Sequence, residues 1–235
     1  HAVWLAETGV SLHTRMPQLL DIDTADLLLT TDLQRAMTNP DATRRATDRA
    51  GELIAPLQAE LQRTSWWHEQ WAADVIAGAA DAFDRSCGRW RELYRAAVDD
   101  QNEQNRIVLD HSVSPRARQA AEARRRDAEG QLRLLRNEDT DHNYSDFYTY
   151  RYFASEGFLP GYSFPRLPLA AYIPGVRQTG SGRGGGEYLQ RPRFLAISEF
   201  GPGAIIYHEG ARYVVKRIQV PMTTGGIGTV ELQDA

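Results

Sequence analysis

Six cations in the last third of the chain alternate with aromatic residues. Arg166, Arg191, Arg193, Arg212, Lys216 and Arg217 are interleaved with Tyr162, Phe164, Tyr207 and Tyr213. Cations next to exposed rings can follow a phosphate backbone while the rings stack on bases. From this set Arg166, Arg191, Arg193, Tyr207, Arg212, Lys216 and Arg217 are the candidate contacts to nucleic acid. The plainer reading is a β-rich module with ordinary surface charges, and the spacing alone does not separate the two.

Other chemistry finds less support. The run 180–186 (Gly-Ser-Gly-Arg-Gly-Gly-Gly) is followed by Glu187-Tyr188 rather than a Lys-Ser/Thr pair and a helix start. It therefore lacks what a phosphate-cradling loop needs and reads as a flexible connector. Six scattered histidines form no His-x-x-x-His pair. Asp139, Asp141, His142 and Asp146 are the densest ligand-like group, at a point where a polar hinge is the plainer expectation. Cys87, the single cysteine, excludes an internal disulfide and lies on an apolar stripe. No convergent catalytic set, metal site or cofactor site emerges, and none is assigned.

Charge divides unevenly. Residues 1–145 carry 18 Arg against 24 acidic groups, whereas 146–235 carry nine basic against seven acidic. A polyanion is therefore better received by the second part. Arg outnumbers Lys 26 to one along the whole chain, a bias that GC-rich coding accounts for. No apolar window approaches the length of a membrane span. The opening His1-Ala2-Val3-Trp4 has neither an initiator Met nor a signal-peptide pattern, so we expect mid-protein sequence of cytoplasmic origin.

The elements that must position these residues fall into two modules, giving an α+β class: a helical hairpin module over 1–145 and a small β-rich module over 146–235. Leu53, Leu57 and Leu61 recur every four residues around Pro56, a predicted kink. Trp67, Trp71, Val75, Ala79, Phe83, Cys87, Trp90, Tyr94 and Val98 predict one long helix over 65–109. Trp66, Trp67, Trp71 and Trp90 are expected in packing or against a partner rather than as a base-stacking platform. Ser114 is the predicted N-cap and Pro115 the first residue of a second helix to Arg136, the two helices packing antiparallel. Glu122 with Arg126 and Glu129 with Arg133 are spaced as ion pairs on its solvated face. Beyond 146, the runs 194–199, 204–208, 212–220 and 229–232 predict strands. Glu209-Gly210 is a tight turn between two of them, and the whole closes into a small antiparallel barrel or sandwich.

Two blocks carry a family resemblance. Phe158-Leu159-Pro160-Gly161-Tyr162-Ser163-Phe164-Pro165-Arg166 is one. The other is Arg191-Pro192-Arg193-Phe194-Leu195-Ala196-Ile197-Ser198-Glu199-Phe200-Gly201-Pro202-Gly203, continued by Ile206-Tyr207-His208-Glu209-Gly210, Tyr213 and Val215. They resemble segments of large bacterial DEAD/DEAH-type superfamily-two helicases, the group of the DISARM helicase subunit and the MrfA/YprA-like repair helicases. His1–Thr8 resembles the stretch just after the second RecA-like motor domain in that group. The blocks span about a third of the chain.

The resemblance implies an accessory, post-motor segment of a parent enzyme that hydrolyses ATP to move on nucleic acid, in repair or antiviral defence. ATP and Mg would be held by RecA-like motor domains of the same parent chain, N-terminal to His1. This segment would guide a single strand, expected to be DNA, or brace the motor, with further protein subunits as candidate partners. The alternative is a protein–protein interaction module docking through its Trp-rich helix face.

Overall fold

The computed structural model describes residues 1–13, 15–138, 148–163, 166–173, 187–221 and 227–231. Their architecture is α+β. The chain packs as two compact units, one formed by His1–Gly88 with Tyr148–Pro165, the other by Arg89–Phe147 with Arg166–Ala235. These units follow packing, whereas the modules read from sequence follow the change in periodicity near residue 146.

The first unit opens with α1 (Ala2–Thr8), closed by Gly9 in the left-handed region at φ 67°. Helix α2 (Thr31–Met37) and helix α3 (Pro40–Ile54) come next. Asn39 caps α3 by accepting from the Asp41 and Ala42 N–H groups, and Pro40 fills the first helical position, where its missing N–H is harmless. Pro56 ends α3 in a 3-10 turn, Ala55–Leu57, before α4 (Gln58–Leu61). The predicted kink is thus a change of helix type. Glu7 of α1 holds α3 through Arg45, Nε to Oε2 at 3.2 Å.

The single long helix expected over 65–109 is instead three: α5 (Trp71–Ala77), α6 (Ala79–Ser86) and α7 (Gly88–Leu109). Gly78, whose N–H bonds to the Asp74 carbonyl, ends α5, and Gly88 starts α7. Glycine relaxes the helix at both joints. The apolar stripe nevertheless survives them: Ala79, Phe83, Cys87, Trp90 and Tyr94 are all buried. Phe83 centres the first unit's core. Its ring lies 4.6 Å from Phe153 of α9 (Thr149–Ser155) and 5.3 Å from Phe158, with Trp4 at 6.3 Å. Tyr152 donates to the Ser86 carbonyl at 2.6 Å, and Thr149 donates to the His13 carbonyl.

In the second unit α7 and α8 (Pro115–Arg136) form the expected antiparallel hairpin. Ser114 caps α8 as predicted, accepting from the Ala117 N–H. Contacts near the start of α7 meet the end of α8, and one near the end of α7 meets the middle of α8. The Trp90 indole donates to the Leu135 carbonyl at 3.2 Å, Arg136 Nε to the Tyr94 hydroxyl at 3.0 Å, and Arg125 to Asn105 at 3.3 Å. Glu129 pairs with Arg125 at 3.5 Å, one turn before it on α8.

The strands correct the barrel expectation. Among the described residues they form three separate two-stranded antiparallel ribbons, with no closed barrel. They are β1 (Leu169–Ile173) with β2 (Glu187–Arg191), β3 (Ile205–His208) with β4 (Ala211–Val214), and β5 (Arg217–Pro221) with β6 (Ile227–Glu231). The predicted strand 212–220 is divided at Val215-Lys216: the pairing with β3 runs on to the Val215 N–H, which donates to the Ala204 carbonyl at 2.9 Å, and from Arg217 the chain pairs with β6 instead.

Residues 194–199, expected as a strand, lie in a helix, α10 (Arg193–Glu199). The Pro192 carbonyl accepts from both Leu195 and Ala196, starting a turn that buries Ala196 and leaves Phe194 and Ile197 outside. A short apolar run fits either period, so its pattern does not distinguish strand from helix.

Candidate nucleic-acid interface

The site grows from one turn. Glu209 and Gly210 have φ of 47° and 77°, the positive pair that a type I′ hairpin requires. Glycine adopts this without strain, whereas Glu209 does so against its side chain's preference. The turn sets the register: His208 opposes Ala211, Tyr207 opposes Arg212, Ile206 opposes Tyr213 and Ile205 opposes Val214.

Because side chains alternate across a ribbon, this register sorts them onto two faces. Ile206 is buried and Tyr213 half-buried on one face; Ile205, Tyr207, Arg212 and Val214 are exposed on the other. Tyr207 keeps 76% of its surface accessible. Directly opposed residues on one face have Cβ atoms about 4.5–5.5 Å apart, so the ring and the guanidinium stand side by side on the exposed face. Two apolar side chains, Ile205 and Val214, extend the platform.

The other predicted contacts are distributed. Lys216 is exposed two residues past the end of β4. Arg217 begins β5, in register with Glu231. Arg166 is exposed just ahead of β1. Arg191 donates from Nε to Glu199 Oε2 at 2.9 Å, so its charge is largely offset within the molecule. Arg193 donates from Nε to the Leu167 carbonyl at 3.3 Å. The structure therefore brings Tyr207 and Arg212 together directly and leaves the other five along the flanking segments. Phe164, the Gly-rich run 180–186 and the group Asp139, Asp141, His142 and Asp146 lie outside the described residues.

Two arrangements were not legible in the sequence. Phe194 and Ile197, three residues apart on α10, are each about three-quarters exposed; only the helical period of 193–199 shows that they share a face. Trp66, Trp67 and Trp71 form a triangle of rings with centroids 5.4–6.2 Å apart, and Trp66 is 53% exposed. Trp90 takes no part in that cluster, being buried in the second unit.

Elsewhere a cleft on the α7–α8 hairpin is lined by Gln101, Glu129, Leu132, Arg133 and Arg136. It combines one carboxylate with two guanidiniums, which leaves one positive charge in excess. Among the described residues no three His, Cys, Asp or Glu side chains converge on a metal position, and no helix is long and apolar enough to cross a membrane.

Comparison of the chain with protein-family models, curated protein sequences and solved structures returns no match.

Proposed function

We propose that this chain is an accessory segment of a cytoplasmic, ATP-dependent nucleic-acid helicase or translocase, guiding a single strand past the exposed face of the β3–β4 ribbon. The observation that carries the contact is the Tyr207–Arg212 pair: one base stacks on the ring while the guanidinium takes a phosphate. The link to a motor rests on the helicase-like blocks at 158–166 and 191–203, and DNA is the strand expected from that resemblance. No ATP or Mg chemistry is assigned to the residues of this chain; those would belong to RecA-like domains of the parent.

Fluorescence anisotropy with a labelled oligothymidylate tests the contact. Binding at low salt that falls steeply as salt is raised supports it. Undetectable affinity at low salt removes direct contact and leaves only a bracing role.

The partly exposed Trp66–Trp67–Trp71 triangle favours a second reading, a protein-docking module without nucleic-acid contact. Tryptophans are enriched in interaction hot spots. Loss of partner binding in a Trp66→Ala variant that keeps its helical signal supports that reading, and unchanged partner binding removes it.

A further inference from the structure

Three indole rings meet at one place in the first unit. Trp66 and Trp67 lie in the turn ahead of α5 and Trp71 begins that helix, with ring centroids 5.4–6.2 Å apart. Trp66 is exposed, and Trp67 and Trp71 are half-buried. Local bonds tie the turn at both ends. The Thr64 hydroxyl donates to the Leu61 carbonyl at 2.7 Å, and the Trp71 N–H donates to the His68 carbonyl at 3.0 Å. Each ring is braced by the other two, so docking on them orders little that is not already ordered. Helix α5 packs against α3, and Leu53 of α3 and Leu57 just after it are also about half exposed. Large apolar side chains left at the surface together mark an interaction surface.

Charge specifies what that surface takes. Residues 52–84 hold six carboxylates against one Arg63 and one Lys-free stretch besides Arg63, a net −5 in a chain of −4, so the rest of the chain sums to +1. Five of the six carboxylates are exposed. Glu69 stands between Trp67 and Trp71 in the chain, and the Asp74 carboxylate lies 3.8 Å from His68 Nε2, at the same turn. Among the described residues Glu52, Glu60 and Glu69 have no ion-pair partner, whereas Glu7, Asp32 and Asp41 of this unit each hold an arginine. Their charge is therefore left for an outside cation. A polyanion is repelled here, and the negative face of an indole attracts a cation.

We infer that this face docks a basic segment of a protein partner, with its cations over the indoles and against Glu60, Glu69 and Asp74. This rests on the docking reading of the tryptophan triangle and does not depend on strand contact at β3–β4. Arginine suits the face best, because a planar guanidinium stacks on an indole as well as carrying charge.

The test titrates the 235-residue chain with labelled oligoarginine and with oligoglutamate of the same length. Oligoarginine should bind at low salt and oligoglutamate should not. Trp66→Ala should raise the oligoarginine Kd about tenfold. The triple variant Glu60→Gln, Glu69→Gln, Asp74→Asn should raise it by a similar factor and flatten its salt dependence. These four side chains are exposed, so thermal melting followed by circular dichroism should match the unaltered chain. Oligoarginine that fails to bind, or that neither variant weakens, overturns the inference. Binding of oligoglutamate that depends on Trp66 overturns the basic partner alone. The docking reading falls separately, on unchanged partner binding by Trp66→Ala.

Discussion

Tyr207 and Arg212 are direct cross-strand partners on the exposed face of the β3–β4 ribbon, set opposite each other by the turn at Glu209-Gly210. A flat ring and a cation side by side form the smallest unit that can hold one nucleotide by both its base and its phosphate. Truncating Tyr207 to Ala should weaken single-strand binding by about 1–3 kcal/mol, whereas Tyr207→Phe keeps most of the affinity. Because Tyr207 is largely exposed, stability should change by no more than about 0.5 kcal/mol. Anisotropy titration and thermal melting check the two halves of this prediction.

The turn that makes the pair is itself open to test. Gly210 has open space around an added Cβ, so the penalty for a side chain there is purely conformational, from its φ of 77°. Gly210→Val should destabilise the ribbon by about 1–2 kcal/mol and weaken strand binding with it. Glu209→Asn should do the opposite, since Asn tolerates the left-handed region and Asn-Gly is the favoured type I′ pair. Amide hydrogen exchange over residues 205–214 reports both changes.

Phe83 holds the first unit together through its ring contacts with Trp4, Phe153 and Phe158. Phe83→Ala should cost about 3–5 kcal/mol, as for other buried aromatics cut to Ala. Chemical denaturation followed by tryptophan fluorescence measures it. A loss below about 1 kcal/mol would mean that Phe83 is not the centre of this core.

The α7–α8 connection contains a pH-sensitive group. The Ser112 hydroxyl and then its backbone N–H donate to the Asp110 carboxylate, at 2.7 and 2.8 Å, and together they hold its pKa below the usual value. With a folded pKa below the unfolded one, the stabilisation is present above the ordinary carboxylate range and is lost as pH falls through the folded value. Ser112→Ala should move the Asp110 titration back up, as followed by NMR of the side-chain carboxyl. An unmoved midpoint counts against the hydroxyl as the main cause.

Local signals in the sequence carried much of this structure. Ser114-Pro115 announced a helix start, Pro56 a kink that is realised as a 3-10 turn, and Glu209-Gly210 a turn, because each acts through its own backbone. The α7–α8 hairpin came from two amphipathic stretches around a short break. What stayed hidden depended on competition between near-equal local states. The run 194–199 suits strand or helix until the Pro192 carbonyl accepts the first helical bonds, and Gly78 divides a stripe whose apolar period continues past it. Strands β3 to β6 overlap predicted runs whereas β1 and β2 overlap none, and among the described residues each strand pairs only with its sequence neighbour, so ribbons rather than a barrel are seen. The site was legible as a list of cations and rings. Only the register of one hairpin shows that Tyr207 and Arg212 share a face, while Arg191 is occupied by Glu199.

Whether the β3–β4 face meets a phosphate backbone turns on Arg212. The deciding experiment is the dependence of single-strand affinity on salt for the unaltered chain and for Arg212→Ala. Each phosphate neutralised on a single strand contributes about −0.7 to the slope of log K against log salt. We expect a negative slope for the unaltered chain that becomes shallower by about that amount in Arg212→Ala, with weaker binding at every salt concentration. Equal slopes and equal affinities for the two proteins would rule out Arg212 as a phosphate contact, and with it the strand-guiding role of this face.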